Sequence, residues 1–249
     1  MPTPSAAKVA FVAPPPASVA MEDRVEKMSV MRKKIAEHMV LSAHTSPHVY
    51  SVCEVDFHRV EQLRQAHKAA YERSGVKLTY TSFVARATID AIREFPLTNA
   101  SLDGDSIVYK RDVNLGIAVA LEAGLIVPVI KDAASQKMPG LARTIQDLAQ
   151  RARTKQLKPE DVQGGTFTIT NPGVFGALFG LPLINQPQVA ILSVGEIEKR
   201  VVVVDDMIAI RPMSYVALGH DHRLIDGADA GRFLRALKSR LEQFDESWM

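Results

Sequence analysis

His220-Asp221-His222-Arg223-Leu224-Ile225-Asp226-Gly227 stands between an apolar run, Met213 to Leu218, and a helical pattern marked by Phe233, Leu234, Leu237 and Leu241. The octet is therefore a turn from a strand into a helix, holding imidazoles, a guanidinium and carboxylates within eight residues. Histidine is the one side chain that titrates near neutrality when unperturbed, which makes His222 a candidate general base. Asp226, four residues on, can brace the turn, pair with an arginine or hold the ring. Each also has a plainer reading, a packed histidine and a surface carboxylate, so the octet needs support from the rest of the chain.

Outward from the octet, Val201 to Val204 and Met207 to Ile210 flank Asp205-Asp206 as a hairpin. Val189 to Val194 is apolar throughout, as a central strand would be, and Thr166 to Thr170 alternates like a half-buried one. Leu141, Ile145 and Leu148 mark a helix. Two apolar runs, Val113 to Ala120 and Leu125 to Ile130, are joined by a turn ending at Gly124, and Asp103-Gly104 folds Ser101 to Tyr109 into a hairpin. Toward the amino end the patterns predict a helix over Thr81 to Phe95, stopped at Pro96, and another carrying Val60, Leu63 and Tyr71. Asp56 caps that second helix and Gly75 ends it. His48 to Phe57 reads as a strand. A first helix from about Met28 carries Met31, Ile35 and Met39 as a buried stripe, with Arg32, Lys33 and Lys34 solvated, and Pro47 closes it. Helices and strands mix without strict alternation, which predicts α+β with a large mixed sheet, packed helices and no nucleotide-binding βαβ repeat.

The 249 residues suffice for one large core without a disulfide or metal staple. A net charge of +2 gives no argument for nucleic acid or an anionic membrane, and no run approaches the ~18 apolar residues of a membrane span. Cys53 is the only cysteine, which fits a reducing cytoplasm. It reads either as a nucleophile or as a small apolar residue within a strand; no cation adjoins it in sequence to activate it. The first twenty residues hold five prolines and six alanines with Lys8 their only charge, which reads as a semi-rigid tether and not as an export signal. Residues 1–27 are expected to be a linker and 28–249 the folded core.

The octet is similar to the signature of the dihydrolipoamide acyltransferases of 2-oxoacid dehydrogenase complexes. Three more stretches resemble blocks of that family in the same order: Gly124 to Val129, Gly164 to Asn171, and Asn185 to Leu192. The likeness runs from about Met28 to Phe244. It implies a fold like that of chloramphenicol acetyltransferase, assembled as homotrimers with each active site between two subunits. It also implies hollow cores of roughly 24 or 60 chains. Lipoyl and partner-binding domains would lie upstream, and the partners would be the dehydrogenase and dihydrolipoamide dehydrogenase components. Coenzyme A would be a substrate and the lipoyl group would sit on a separate domain. No nucleic acid, membrane or metal enters this picture.

Moving an acyl group between two thiols needs a thiolate. A thiol of pKa ~8.5 gives its proton to an imidazole of pKa ~6.5 at a cost of about 2.7 kcal/mol, which concerted transfer can absorb. His222 is accordingly assigned as the base. Attack on the thioester makes an oxyanion, and the Thr170 hydroxyl, where the family carries serine or threonine, is the implied donor. By the same likeness Asp226 holds the loop through an internal ion pair, with Arg32 or Arg64 as partner. Asn171 and Gly227 are expected to shape turns, and His220 to be structural. His220 and His222 on one strand face could ligate a metal, but two histidines without a third ligand motif are too few. Gly173, Gly176 and Gly180 are spaced too loosely for a phosphate cradle and fit a turn lining a channel. No residue is assigned to coenzyme A. Ala120 stands where many relatives have an acid, and the tail from Phe244 to Met249 does not match the apolar hook that joins trimers. Thr170-Asn171 and Leu224-Ile225 lean toward succinyl over acetyl transfer. Two alternatives stand beside this: a scaffold core without catalysis, and an O-acetyltransferase using the same base.

Overall fold

A computed structural model describes residues 24–121 and 124–249; residues 1–23, most of the expected linker, lie outside them. The longest strand is β11 (Met207–Asp221), which leads into the octet. On one side it pairs antiparallel with β1 (His48–Asp56), and on the other with β9 (Ala190–Val194). β8 (Phe167–Thr170) lies parallel to β9, followed by β4 (Leu115–Ile117) and β7 (Val129–Ile130). β10 (Glu198–Val204) pairs with the first half of β11, giving seven strands in a mixed sheet. Among the described residues two small ribbons complete the β structure: β2 (Ala100–Asp103) with β3 (Ser106–Tyr109), and β5 (Val119–Leu121) with β6 (Gly124–Ile126).

The helices are α1 (Val30–Thr45), α2 (His58–Arg73), α3 (Tyr80–Glu94), α4 (Met138–Arg153) and α5 (Gly227–Glu242). Core side chains from α3 (Phe83, Ile89, Ile92) and α5 (Phe233, Leu237, Leu241) meet Leu115, Phe167, Leu192, Val216 and Leu218 of the sheet. Each such side chain, fully buried, contributes about 1.5–3 kcal/mol. Phe167 and Ile169 point into this core, so by strand alternation Thr168 and Thr170 point to the opposite face. The predicted α+β architecture is the one observed.

Three local expectations change. The hairpin strand Met207 to Ile210 and the run Met213 to Leu218 are one strand of 15 residues, despite Pro212 between them. The Pro212 carbonyl accepts from Phe57 N (2.8 Å), on the side where β1 has just ended, and the missing N–H lies on that side as well. The two runs around Gly124 are each split, their outer parts joining the main sheet and their inner parts forming the β5–β6 ribbon. Most consequentially, α1 buries its stripe only in part: Ile35 and Met39 are half-buried, Met31 is 51% exposed, Val30, Val40 and Leu41 are exposed as well, and Ser42 is the helix's buried residue. A helix with that much bare apolar surface gains little stability from its own chain.

The carboxyl end packs onto its own core. Phe244 is buried with its ring edge-on to Phe83 (4.9 Å between centroids), and Trp248 lies over the guanidinium of the buried Arg86 (4.4 Å). Arg86 is also held by Asp90 (2.5 Å). Trp248 and Met249 are partly buried against that core.

Candidate active site

The octet begins inside the sheet and ends on a helix. His220 and Asp221 are the last residues of β11, His222 to Leu224 form the turn, and Asp226 caps α5 by accepting from Asp229 N (2.8 Å). His222 is exposed, and its backbone N–H donates to Pro47 O (3.0 Å), tying the turn to the end of α1.

Asp221 is what holds the turn. It is buried, and its carboxylate accepts from Ser46 Oγ (2.6 Å), from Arg223 N (3.0 Å) and, bidentate, from the Arg223 guanidinium (2.6 Å at the shortest). Its carbonyl also accepts from Leu224 N and Ile225 N. Burial pushes its pKa up, but the hydrogen bonds from Arg223 and Ser46 outweigh that and hold it below the ordinary carboxylate range. Ser46 Oγ in turn accepts from Gln186 Nε2 (2.8 Å), and His48 donates from Nδ1 to Ser46 O while accepting from Ile184 N on Nε2 (2.9 Å).

The ion pair expected of Asp226 is therefore carried by Asp221. Asp226 makes no ion pair among the described residues; it is spent on the helix cap, and Arg64 is bound by Glu61 (2.8 Å). Arg32 lies beside Gly124. Asp226 stays close enough for His222 to contribute to lowering its pKa, behind the larger effect of the Asp229 N–H. The signal for Asp221 was available: it adjoins His222 and is followed at the second residue by an arginine. A buried Ser46 as its partner was not legible.

Thr170 is at the other end of the sheet. It closes β8, opposite Ser193 in β9, and lines a cleft of about 970 Å³ with Ile117, Ala120, Asn171, Pro172 and Phe175. Asn171, expected only to shape a turn, lines that cleft too, and its Oδ1 is buried without a partner. The glycine-bearing segment does border the cleft, but Gly173 is packed backbone-to-backbone on Gly195, where no Cβ fits. His222 is not among the cleft's lining residues. The ladder gives the separation: Thr170 aligns with Ser193, Ser193 with Ala217, and His222 is five residues beyond Ala217. Four strand steps to Asp221, one turn residue and two strand spacings put the two backbone positions roughly 19 Å apart within one chain.

His220 is fully buried, 6.0 Å from the His222 ring between centroids, with the ring planes at 34°. His222 has left the strand, so the shared strand face imagined for a metal pair does not exist. Cys53 is only partly buried in β1; burial, as the largest effect, pushes its thiol up to about 11, which fits a packing role and not a nucleophile.

A sequence profile described as the 2-oxoacid dehydrogenases acyltransferase catalytic domain matches residues 20–249. The chain belongs to this acyltransferase family. A dihydrolipoyllysine-residue succinyltransferase component of the 2-oxoglutarate dehydrogenase complex, from Rickettsia bellii, is 44% identical over 226 residues, 90% of this acyltransferase domain and 56% of that protein. The chain thus spans little more than half the length of the curated relatives it matches. A crystal structure of a probable dihydrolipoamide acetyltransferase from Listeria monocytogenes superposes with a TM-score of 0.88 at 40% identity, covering 92% of this chain and 99% of that one. The cubic core of a pyruvate dehydrogenase multienzyme complex superposes equally well, at 32% identity, over 93% and 97%. Chloramphenicol acetyltransferase, at 14% identity and TM-score 0.53, shares the fold, as the resemblance implied.

Proposed function

We propose that this domain transfers an acyl group between a dihydrolipoyl thiol and coenzyme A, as a catalytic core unit of a 2-oxoacid dehydrogenase complex. His222 takes the proton from the attacking thiol, and the Thr170 hydroxyl donates to the oxyanion of the tetrahedral intermediate. Asp221 and Arg223 fix the turn that carries His222; Asp226 caps the helix behind it. Residues 28–249 are the catalytic unit, 1–27 the tether, and the cytoplasm the compartment. Succinyl is the acyl group favoured, in line with what the curated relatives are named for.

The observation that carries this reading is the separation of His222 from Thr170. Two groups about 19 Å apart cannot act on one thioester, so the base of one copy must meet the cleft of another. Such a contact joins different surfaces of identical chains, and repeated it closes into a ring; a homotrimer satisfies it. The bare apolar residues of α1, which adjoins the His222 turn through Pro47, then find cover.

The test mixes two inactive proteins. His222→Ala and Thr170→Val, unfolded and reassembled together, recover roughly a quarter of the native sites, because one in four adjacent pairs supplies both groups. A site within one chain would recover nothing. The acyl group is read by supplying dihydrolipoamide with succinyl-, acetyl- and branched acyl-coenzyme A. Turnover with none of them would sink the proposal.

A further inference from the structure

We propose that His48 is a positioning residue for His222: through the Ser46 carbonyl its ring fixes the Ser46–Pro47 pair on which the His222 turn is seated. The inference rests on the reading above, in which His222 is the base and acts in the cleft of a neighbouring copy.

The turn is seated on two consecutive residues between α1 and β1. The Pro47 carbonyl accepts from His222 N (3.0 Å), and the Ser46 hydroxyl donates to the Asp221 carboxylate (2.6 Å). Both bonds depend on the orientation of the peptide plane that joins Ser46 to Pro47. The proline ring sets φ at Pro47 to about −65°, which leaves the plane itself, governed by ψ at Ser46, to be held. His48 holds it: its Nδ1 lies 2.7 Å from Ser46 O. A carbonyl only accepts, so Nδ1 carries the hydrogen; the Ile184 N–H only donates, at 2.9 Å, so Nε2 carries the lone pair. Both nitrogens of this half-buried ring are committed, and it cannot turn without losing a bond.

The same ring touches the paths to both ends of the sheet. Ile184 belongs to the segment 182–186, by which the loop that begins beside Thr170 returns to β9. That segment has three other anchors: Tyr50 donates to the Pro182 carbonyl (3.1 Å), Ser42 to the Ile184 carbonyl (2.6 Å), and Gln186 to Ser46 Oγ (2.8 Å). Ser46 O has no other donor among the described residues. Removing the ring therefore leaves the returning segment fastened and the seat of His222 loose. A misplacement of about 1 Å can cost a reacting group up to a hundredfold in rate, so the effect falls on kcat and not on substrate affinity.

The test uses the assembled protein and two substitutions that each keep one of the ring's bonds. Asparagine puts an N–H near the place of Nδ1 and serves Ser46 O; glutamine puts an acceptor near the place of Nε2 and serves Ile184 N. His48→Gln is expected to lower kcat about tenfold, one hydrogen bond's worth, with KM for either thiol within about twofold. His48→Asn is expected to keep kcat within about twofold of native. Equal losses in the two variants, or a native kcat in His48→Gln, overturn the inference. Mixed assemblies then locate the defect, because each site takes its base from one chain and its hydroxyl from the next. Reassembled with an equal amount of Thr170→Val, His48→Gln reaches about a quarter of native activity, since one site in four joins an intact seat to an intact hydroxyl. Reassembled with His222→Ala it reaches only about a twentieth, since every site that has a base takes it from a loosened seat. The reverse order places the effect on the Thr170 side, and equal recovery leaves His48 a packing role; either overturns the inference. A native His48 found by ¹⁵N resonance to carry its hydrogen on Nε2 overturns it whether or not the variants assemble. If His222→Ala and Thr170→Val do not restore each other, the shared site fails and takes this inference with it. If they do, while the two His48→Gln mixtures match, this inference fails alone.

Discussion

The two ends of the central sheet are built by different means. At the His222 end, side chains do the holding: Gln186 to Ser46, Ser46 to Asp221, Arg223 to Asp221, and His48 bridging Ser46 and Ile184. At the Thr170 end, backbones touch. Gly173 meets Gly195 and Gly195 meets the Leu178 carbonyl, while Gly180 meets the Pro172 ring, each at distances that exclude a Cβ. The first construction advertises itself in polar residue types at short spacing. The second is written only in what is missing. The candidate base sits on the polar end, on an exposed turn, and the candidate donor sits on the end where glycine contacts leave no room for a Cβ.

The largest expected effect is chemical and confined to the polar end. His222→Ala should lower kcat by about a thousandfold, the usual worth of a positioned general base, with an unchanged melting temperature. Thr170→Val should cost on the order of a hundredfold, as for the loss of one oxyanion donor, again without unfolding. Comparable losses of melting temperature in either variant would erase the distinction between reacting groups and their supports.

Gly195→Ala tests the other construction. The added methyl would lie against the Leu178 carbonyl, and overpacking of this kind costs about 1–3 kcal/mol. Chemical denaturation measures it, and a neutral result would mean that the glycine contacts carry no constraint.

A smaller and pH-dependent effect belongs to Asp221. Its folded pKa is depressed, so its contribution is fully present above the unfolded value of ~3.9 and is lost as pH falls through the lower folded one. Asp221→Asn should therefore flatten the acid limb of the stability curve below about pH 4 and leave the region above pH 6 parallel to the native curve. An unaltered acid limb would assign that limb to other carboxylates.

Much of the fold was legible because its periodicities are strong. β9, α3, α4 and α5 fall where apolar spacing put them, and Gly75 and Gly104, both with positive φ, end the elements they were expected to end. β11 was read as two runs, Met207 to Ile210 and Met213 to Leu218, although the Pro212 between them is tolerated in a strand where a neighbour has stopped. α1 was read as more buried than it is because periodicity reports an apolar stripe, not what covers it; among the described residues the cover is partial. In the candidate site, His222 and Thr170 were proposed from motifs, whereas the bracing carboxylate was assigned five residues too late. Spacing cannot say which of two aspartates faces inward, and burial decided it.

The docked tail has a practical consequence. Trp248 is the chain's single tryptophan, and it rests against a cation fixed in the core. Its emission is therefore an optical gauge of one event, the release of the last six residues from α3. That gauge can be read during dilution or heating without any label.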